Sequence, residues 1–308
     1  MLGSTNSIVD YNQSDYREFW KGPSKVLLDR AERLIIMNLL SENKGWFIDL
    51  GAGFGRLFPL YNCPERRVVM VDYALNLLEI AAQKHTEGHI HFIAANAYRL
   101  PFRDGVFSGG LSVRVFHHMD SPINFLKECS RILSPQGEMV LSYSNKRNLL
   151  RILRKWKSAF QVNHETYSPS LFGTHPDYFR FISEEAGLEE KEVRGCGILD
   201  QLVRGFPSIE RHLARCGLIS ELIYGMEKLA NHTLGNVGLT PLHFSALKKH
   251  QSNVNDVNPL FSSGRFEDIL VCPNCYEGEI KDQEIMVACT KCNSTYQKIG
   301  KVLDFRKE

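Results

Sequence analysis

The chain has 308 residues, 43% hydrophobic and 23% charged, with a net charge of +2; it is long enough for roughly two domains with a buried core and too nearly neutral to advertise a polyanionic partner. Its longest apolar run, Leu34-Ile35-Ile36-Met37, is interrupted by Asn38, far short of the ~18 residues of a membrane span, and the N-terminus lacks the basic and apolar regions of a secretory leader. A cytoplasmic setting is therefore expected.

The first elements set up a binding turn. Tyr11 to Trp20 is rich in aromatic residues, for which ordinary packing and a cover over a ligand both stay open. Ser24 to Leu40 reads as a helix from the spacing of Leu27, Ala31, Leu34 and Ile35. The apolar run Trp46-Phe47-Ile48 then feeds directly into Asp49-Leu50-Gly51-Ala52-Gly53-Phe54-Gly55, a strand ending in glycines at alternate positions. Glycines let the backbone turn sharply and approach a ligand closely, and a helix starting near Arg56 would present free N–H groups beside it. A dinucleotide fold would carry its third glycine where Arg56 stands. The next strand, Val68-Val69-Met70-Val71, ends in Asp72, where a carboxylate can accept from both hydroxyls of a ribose. The pattern predicts a nucleoside cofactor that is not a dinucleotide.

Two more stretches follow in order: Ala95-Asn96-Ala97-Tyr98-Arg99-Leu100-Pro101-Phe102 and Val113-Arg114-Val115-Phe116-His117-His118-Met119. Together with the glycine turn and Val71-Asp72 they make residues 45 to about 145 resemble a class I S-adenosylmethionine-dependent methyltransferase, of the branch that includes the ubiquinone and menaquinone biosynthesis methyltransferases. The resemblance implies an α/β fold with a Rossmann-like, seven-stranded, mostly parallel sheet whose last strand is antiparallel. It also implies that Asp49, Gly51, Gly53 and Gly55 hold the methionine end of S-adenosylmethionine, that Asp72 holds the ribose, and that Asn96 and Ala97 reach the adenine. Arg114 is placed in the same cofactor-binding set. The family usually has Asp at the position of Asn96, whose amide carbonyl can still accept from an adenine amino group. It usually has another Asp at Ser108, which is not a dependable ligand.

Methyl transfer is an in-line displacement at a sulfonium that already carries a good leaving group, so holding the nucleophile in place can supply most of the acceleration. No catalytic triad is required. A base helps only where the acceptor atom carries a proton, and His117 and His118, just past the fourth strand, are the candidate catalytic residues, with plain packing as the competing role. The chain has no Asn-Pro-Pro-Tyr stretch of the kind used by amide and adenine N-methylases.

After the fifth strand, Glu138 to Tyr143, the stretch 147–157 reads as a basic amphipathic helix with Leu149, Ile152, Leu153 and Trp156 on one face and Arg147, Arg151, Arg154 and Lys155 toward the other. Three roles stay open for it: an anionic substrate, peripheral contact with a membrane surface, or a solvated face. Residues 146–187, with His164, Tyr167, His175 and Tyr178, occupy the usual place of a substrate cap. A strand at Leu188 to Val193, a helical stretch over about 205–231 and an antiparallel strand at Pro241 to Leu247 complete the domain.

Four of the eight cysteines are scattered (Cys63, Cys129, Cys196, Cys216), while Cys272, Cys275, Cys289 and Cys292 form two C-x-x-C knuckles separated by thirteen residues. Two such knuckles place four thiolates around one tetrahedral ion, and all-sulfur ligation points to structural Zn2+; an iron–sulfur centre or a redox pair is the lesser alternative. Residues 268–305 also resemble the small zinc-ribbon protein that activates several tRNA and protein methyltransferases as a separate subunit. The likeness lies in Leu270 to Cys275, the second knuckle, and Tyr296 to Leu303. It implies an activator fused to its enzyme and covering an apolar surface.

The expected organisation is an N-terminal helical or lid segment (1–44), the methyltransferase domain (45–250), a polar linker (251–264) and the zinc ribbon (265–308). Three functions remain: methylation of a small or lipid-like metabolite, methylation of tRNA or protein, and a non-catalytic binding scaffold. The ribbon's seven Lys plus Arg against eight Asp plus Glu are a poor balance for binding phosphates.

Overall fold

The computed structural model describes residues 16–149, 152, 173–198, 217–236, 238–250 and 264–306. Most of the 147–157 helix, His164, Tyr167, residues 205–216 and nearly all of the linker lie outside them. A 3-10 turn, Tyr16–Trp20, leads into α1 (Pro23–Leu39), and the core then alternates as β1 (Gly45–Leu50), β2 (Arg66–Asp72), α2 (Leu75–Lys84), β3 (Ile90–Ala94), β4 (Phe107–Ser112), α3 (Pro122–Ile132) and β5 (Leu133–Ser144). Then come α4 (Pro176–Glu185), β6 (Leu188–Cys196), α5 (Gly217–Asn236) and β7 (Leu242–Lys249). Proline opens α1, α3 and α4, where its missing N–H costs nothing and its fixed φ suits the first helical position.

Strands β1 to β5 pair in parallel, and β7 lies antiparallel between β5 and β6. β1 is apolar on both faces, because the sheet is covered on both sides. Trp46, Ile48 and Leu50 enter one core with Phe125, Leu126 and Ile132 of α3. Phe47 points to the other, with Leu28, Ile35 and Ile36 of α1 and Leu78 of α2. Among the described residues, no helix is long and apolar enough to cross a membrane.

The C-terminal module adds to the expected seven strands, which are present with β7 antiparallel. Its strands β8 (Ile280–Asp282), β9 (Met286–Cys289), β10 (Thr295–Ile299) and β11 (Val302–Asp304) form an antiparallel meander, and β11 pairs in parallel with β3. The result is one eleven-stranded sheet in the order β6-β7-β5-β4-β1-β2-β3-β11-β10-β9-β8. A second seam joins the Val271 N–H to the Pro101 carbonyl (3.1 Å) and the Arg103 N–H to the Ile269 carbonyl (2.9 Å). Ile269, Leu270, Ile280, Val287, Tyr296 and Phe305 share one continuous core with Ile93 and Phe102. The meander therefore occupies what would be an open edge at β3, where unpaired backbone groups invite association.

Candidate functional site

β1 lies between β4 and β2, so chain connections diverge on either side of it, and in sheets of this type ligands bind outside the carboxyl ends of the strands at that point. A cleft of about 780 Å³ opens there. Leu50, Gly51 and Gly53 line it at and after the end of β1, Val71, Asp72 and Tyr73 at the end of β2, Ala95, Ala97 and Tyr98 after β3, and Val113, Arg114 and Val115 after β4. Tyr16, Leu77, His118 and Met119 complete the wall. A smaller recess of about 360 Å³ shares Tyr16, Gly51, Gly53, Val113 and Arg114 and adds Asp49, Phe54 and Arg56. Tyr16 borders both cavities, so the aromatic segment contributes one described residue to the cleft wall.

The glycine turn is shaped by what surrounds it. Gly51 has φ +83, and a Cβ on it would overlap the Val115 side chain. The Gly51 and Ala52 N–H groups donate to the Val71 carbonyl at 2.7 and 3.0 Å. The Gly53 N–H donates to Asp72 Oδ2 (2.7 Å) and the Ala74 N–H to Oδ1 (2.8 Å). The Asp72 carboxylate is thus oriented by two amides on the cleft wall.

Asp49 is buried and accepts a hydrogen bond from the Tyr61 hydroxyl. Burial pushes its carboxyl up to about 7, against the pull of the Tyr61 hydroxyl, with the nearby Asp72 charge adding to the rise. On the other side of the recess, Glu32 of α1 is fully buried and pairs with both Arg56 (2.9 Å) and Arg114. Arg114 has φ +62 and donates its N–H to Ser142 Oγ at 2.8 Å. Trp20 lies under the Arg56 guanidinium, 3.7 Å from ring centre to Cζ. A buried carboxylate shared by two guanidiniums holds both cations in place beside the cleft. Sequence reasoning passed over Glu32 and Arg56, although an acid within the Leu28, Ala31, Ile35 stripe of α1 was a usable signal.

Other candidates sit less directly. Gly55 has φ +73 and packs against His85, and neither it nor Asn96 lines the two cavities. Asn96 Oδ1 accepts from the Tyr98 N–H at 2.9 Å, which shapes the turn that presents Ala97 and Tyr98. His118 lines the cleft whereas His117 does not. Burial, helped by His118 and Arg114, pulls His117 down to about 3, and burial also lowers His118. The lowered values favour the neutral form of both rings, and His118 is the one that faces the cleft. His175 caps α4 by accepting from the Asp177 N–H (3.3 Å), and Tyr178 packs against the core.

The sulfurs of Cys272, Cys275, Cys289 and Cys292 all lie within 4.8 Å of one another. Cys272 to Cys292 is 3.6 Å and Cys275 to Cys289 is 3.7 Å. A tetrahedral ion with metal–sulfur bonds of about 2.3 Å requires sulfur–sulfur edges of about 3.8 Å, so this donor set fits Zn2+. The Lys291 and Cys292 N–H groups point at the Cys289 sulfur (3.3 and 3.4 Å), and a Cβ on Gly278 would overlap that atom. Donors aimed at a sulfur are what a thiolate ligand needs.

Residues 48–141 match the family described as a methyltransferase domain. A demethylmenaquinone methyltransferase of Lactococcus lactis is 27% identical over 213 residues, covering 67% of this chain and 77% of that protein. An uncharacterized protein of Methanocaldococcus jannaschii is 34% identical over 137 residues, covering 41% of this chain and 56% of the other. Among solved structures, a chain of the complex between the Haloferax volcanii Trm112 methyltransferase activator and a methyltransferase is 17% identical, with a TM-score of 0.51, over 78% of this chain and 99% of that one. That likeness is one of fold.

Proposed function

We propose that this chain, which carries an S-adenosylmethionine-dependent methyltransferase domain, methylates a small or lipid-like metabolite. One observation supports the proposal: apart from Asp72, Arg114, His118 and the tyrosines, the cleft beside the glycine turn is walled by apolar side chains, among them Leu50, Val71, Leu77, Val113, Val115 and Met119. Such a wall suits an apolar acceptor better than a polyanion. The names of relatives agree, among them demethylmenaquinone methyltransferases and a malonyl-[acyl-carrier protein] O-methyltransferase of Marinomonas sp., the latter 27% identical over 135 residues that make up 43% of this chain and 48% of that protein.

In this reading residues 45–250 form the catalytic unit and 265–308 a zinc ribbon. Asp72 accepts from the ribose hydroxyls, Ala97 and Tyr98 border the adenine, and the Gly51 to Gly53 turn approaches the methionine portion. Arg114 and Arg56, held by Glu32, offer positive charge to the cofactor's carboxylate, and Asp49 offers the opposite charge nearby. S-adenosylmethionine, when bound, supplies an electrophilic methyl group. The protein's task is to align an acceptor oxygen or carbon with it and keep water out. His118, neutral in its resting state, accepts the acceptor's proton where there is one to lose. Cys272, Cys275, Cys289 and Cys292 hold the zinc, whose role is structural.

The test is calorimetry with S-adenosylhomocysteine, followed by transfer of labelled methyl to quinone, lipid, tRNA and protein fractions. Label appearing in an apolar extract supports the proposal. Label in tRNA together with salt-sensitive tRNA binding would replace it, and no nucleoside binding would remove it.

A further inference from the structure

The end of the ribbon reaches a residue of the cleft wall. Asp304 is in register with Ala94 across the β11–β3 pair, and the Phe305 N–H donates to the Ala94 carbonyl at 2.7 Å. One residue later, Arg306 Nη1 donates to the Tyr73 carbonyl at 2.9 Å, and its guanidinium lies 5.6 Å from the centre of the Tyr73 ring. Asp304 braces that guanidinium, accepting from Nε at 2.9 Å and from Nη2 at 2.6 Å. A bidentate carboxylate fixes a guanidinium in one plane, so Arg306 meets Tyr73 as a pre-oriented group.

Tyr73 is itself part of the cleft wall, directly after Asp72. The stretch between β2 and α2 is two residues long, Tyr73 and Ala74. Its amide end is tied to Asp72 Oδ1 through the Ala74 N–H, and its carbonyl end is tied to Arg306. Both ties act on the one peptide group between Tyr73 and Ala74, directly after the acid expected to hold the ribose.

We propose that Arg306 is a positioning residue for the nucleoside cofactor, acting through Tyr73, so that the last strand of the ribbon sets cofactor affinity as well as closing the sheet. This rests on the reading that the cleft holds the cofactor. Loss of Arg306 frees the Tyr73 peptide without touching the cysteines or the buried core.

The experiment measures S-adenosylhomocysteine binding by calorimetry on the full chain, with melting temperature and zinc content followed in parallel. R306A should raise Kd about five- to twentyfold, with melting temperature and zinc unchanged. In a Y73A background, which keeps the main-chain carbonyl but removes the ring that Arg306 is proposed to position, the same substitution should cost nothing further. A Kd for R306A within about twofold of wild type, or an equal loss with and without Tyr73, overturns the inference. If D72N weakens binding while R306A does not, only the inference falls; if the wild-type chain binds no nucleoside, the reading of the cleft falls with it.

Discussion

Substituting Gly51 by alanine should empty the cleft of cofactor while leaving the protein folded. Gly51 follows β1 at φ +83, and a Cβ there would overlap Val115 Cγ2 and lie 3.4 Å from Val115 Cβ. The left-handed backbone costs a residue with a side chain about 1–2 kcal/mol, and forcing a methyl into an occupied space adds about 1–3 kcal/mol. Together they destabilise the native state by roughly 2–5 kcal/mol, short of a typical total of about 5–15 kcal/mol. At roughly 2–4 °C per kcal/mol for chains of this class, the melting temperature should fall by about 5–15 °C. Val115 lines the cleft, so when it yields it moves into the space a ligand would use. Calorimetry below the onset of melting should show S-adenosylhomocysteine affinity reduced more than about tenfold. A folded Gly51→Ala protein binding as the wild type does would refute the placement of the cofactor against this turn.

Further outcomes follow from the buried charges and the cysteines. Cys289→Ser should reduce metal analysis from one zinc per chain to near zero and lower the melting temperature, since the ribbon shares its core with Phe102 and Ile93; unchanged melting after complete metal removal would contradict a structural role. The Asp49 carboxyl, pushed up to about 7 by burial, gains its charge as pH rises through that value, so affinity for the cationic cofactor should increase between about pH 6 and 8. Asp49→Asn should lose that component, and superimposable pH profiles for the two proteins would count against it. In the free protein the same raised value means that the folded carboxyl keeps a proton that the unfolded chain releases between about pH 4 and 7. Asp49 therefore costs stability as pH rises across that window, and Asp49→Asn should flatten the slope of denaturant midpoints. His243 has the opposite sign: burial pulls it down to about 4, the unfolded chain takes up the proton first, and up to about 3 kcal/mol of stability is lost as pH falls from about 6.5 toward 4. His243→Gln should remove that acid sensitivity in urea melts at pH 5 and 7.

Local patterns in the chain carry much of the site. The glycine alternation after Trp46-Phe47-Ile48, the acid closing the second strand and the two cysteine knuckles are short-range features, because turn geometry, strand ends and tetrahedral ligation need only a few residues at set spacings. Gly51, Gly53 and Asp72 could therefore be named from spacing, Ala97 and Arg114 followed from the family resemblance, and all five line the cleft. Gly55 belongs to the same glycine alternation and Asn96 to the resemblance, yet both shape the turns behind the cleft. His118 and His117 are neighbours in the chain, and only the 3-10 turn that carries them distinguishes the one facing the cleft.

What spacing could not supply is pairing between distant segments. Glu32 meets Arg56 and Arg114 across 24 and 82 residues, and Arg306 reaches Tyr73 across 233; such contacts depend on how helices and edges dock, which no local motif encodes. The amino-acid sequence by itself determined the α/β alternation, the nucleoside-type turn and the four-sulfur cluster. Only the tertiary structure decided that the ribbon is a continuation of the sheet, because the backbone groups of β3 that β11 satisfies belong to residues about two hundred positions away.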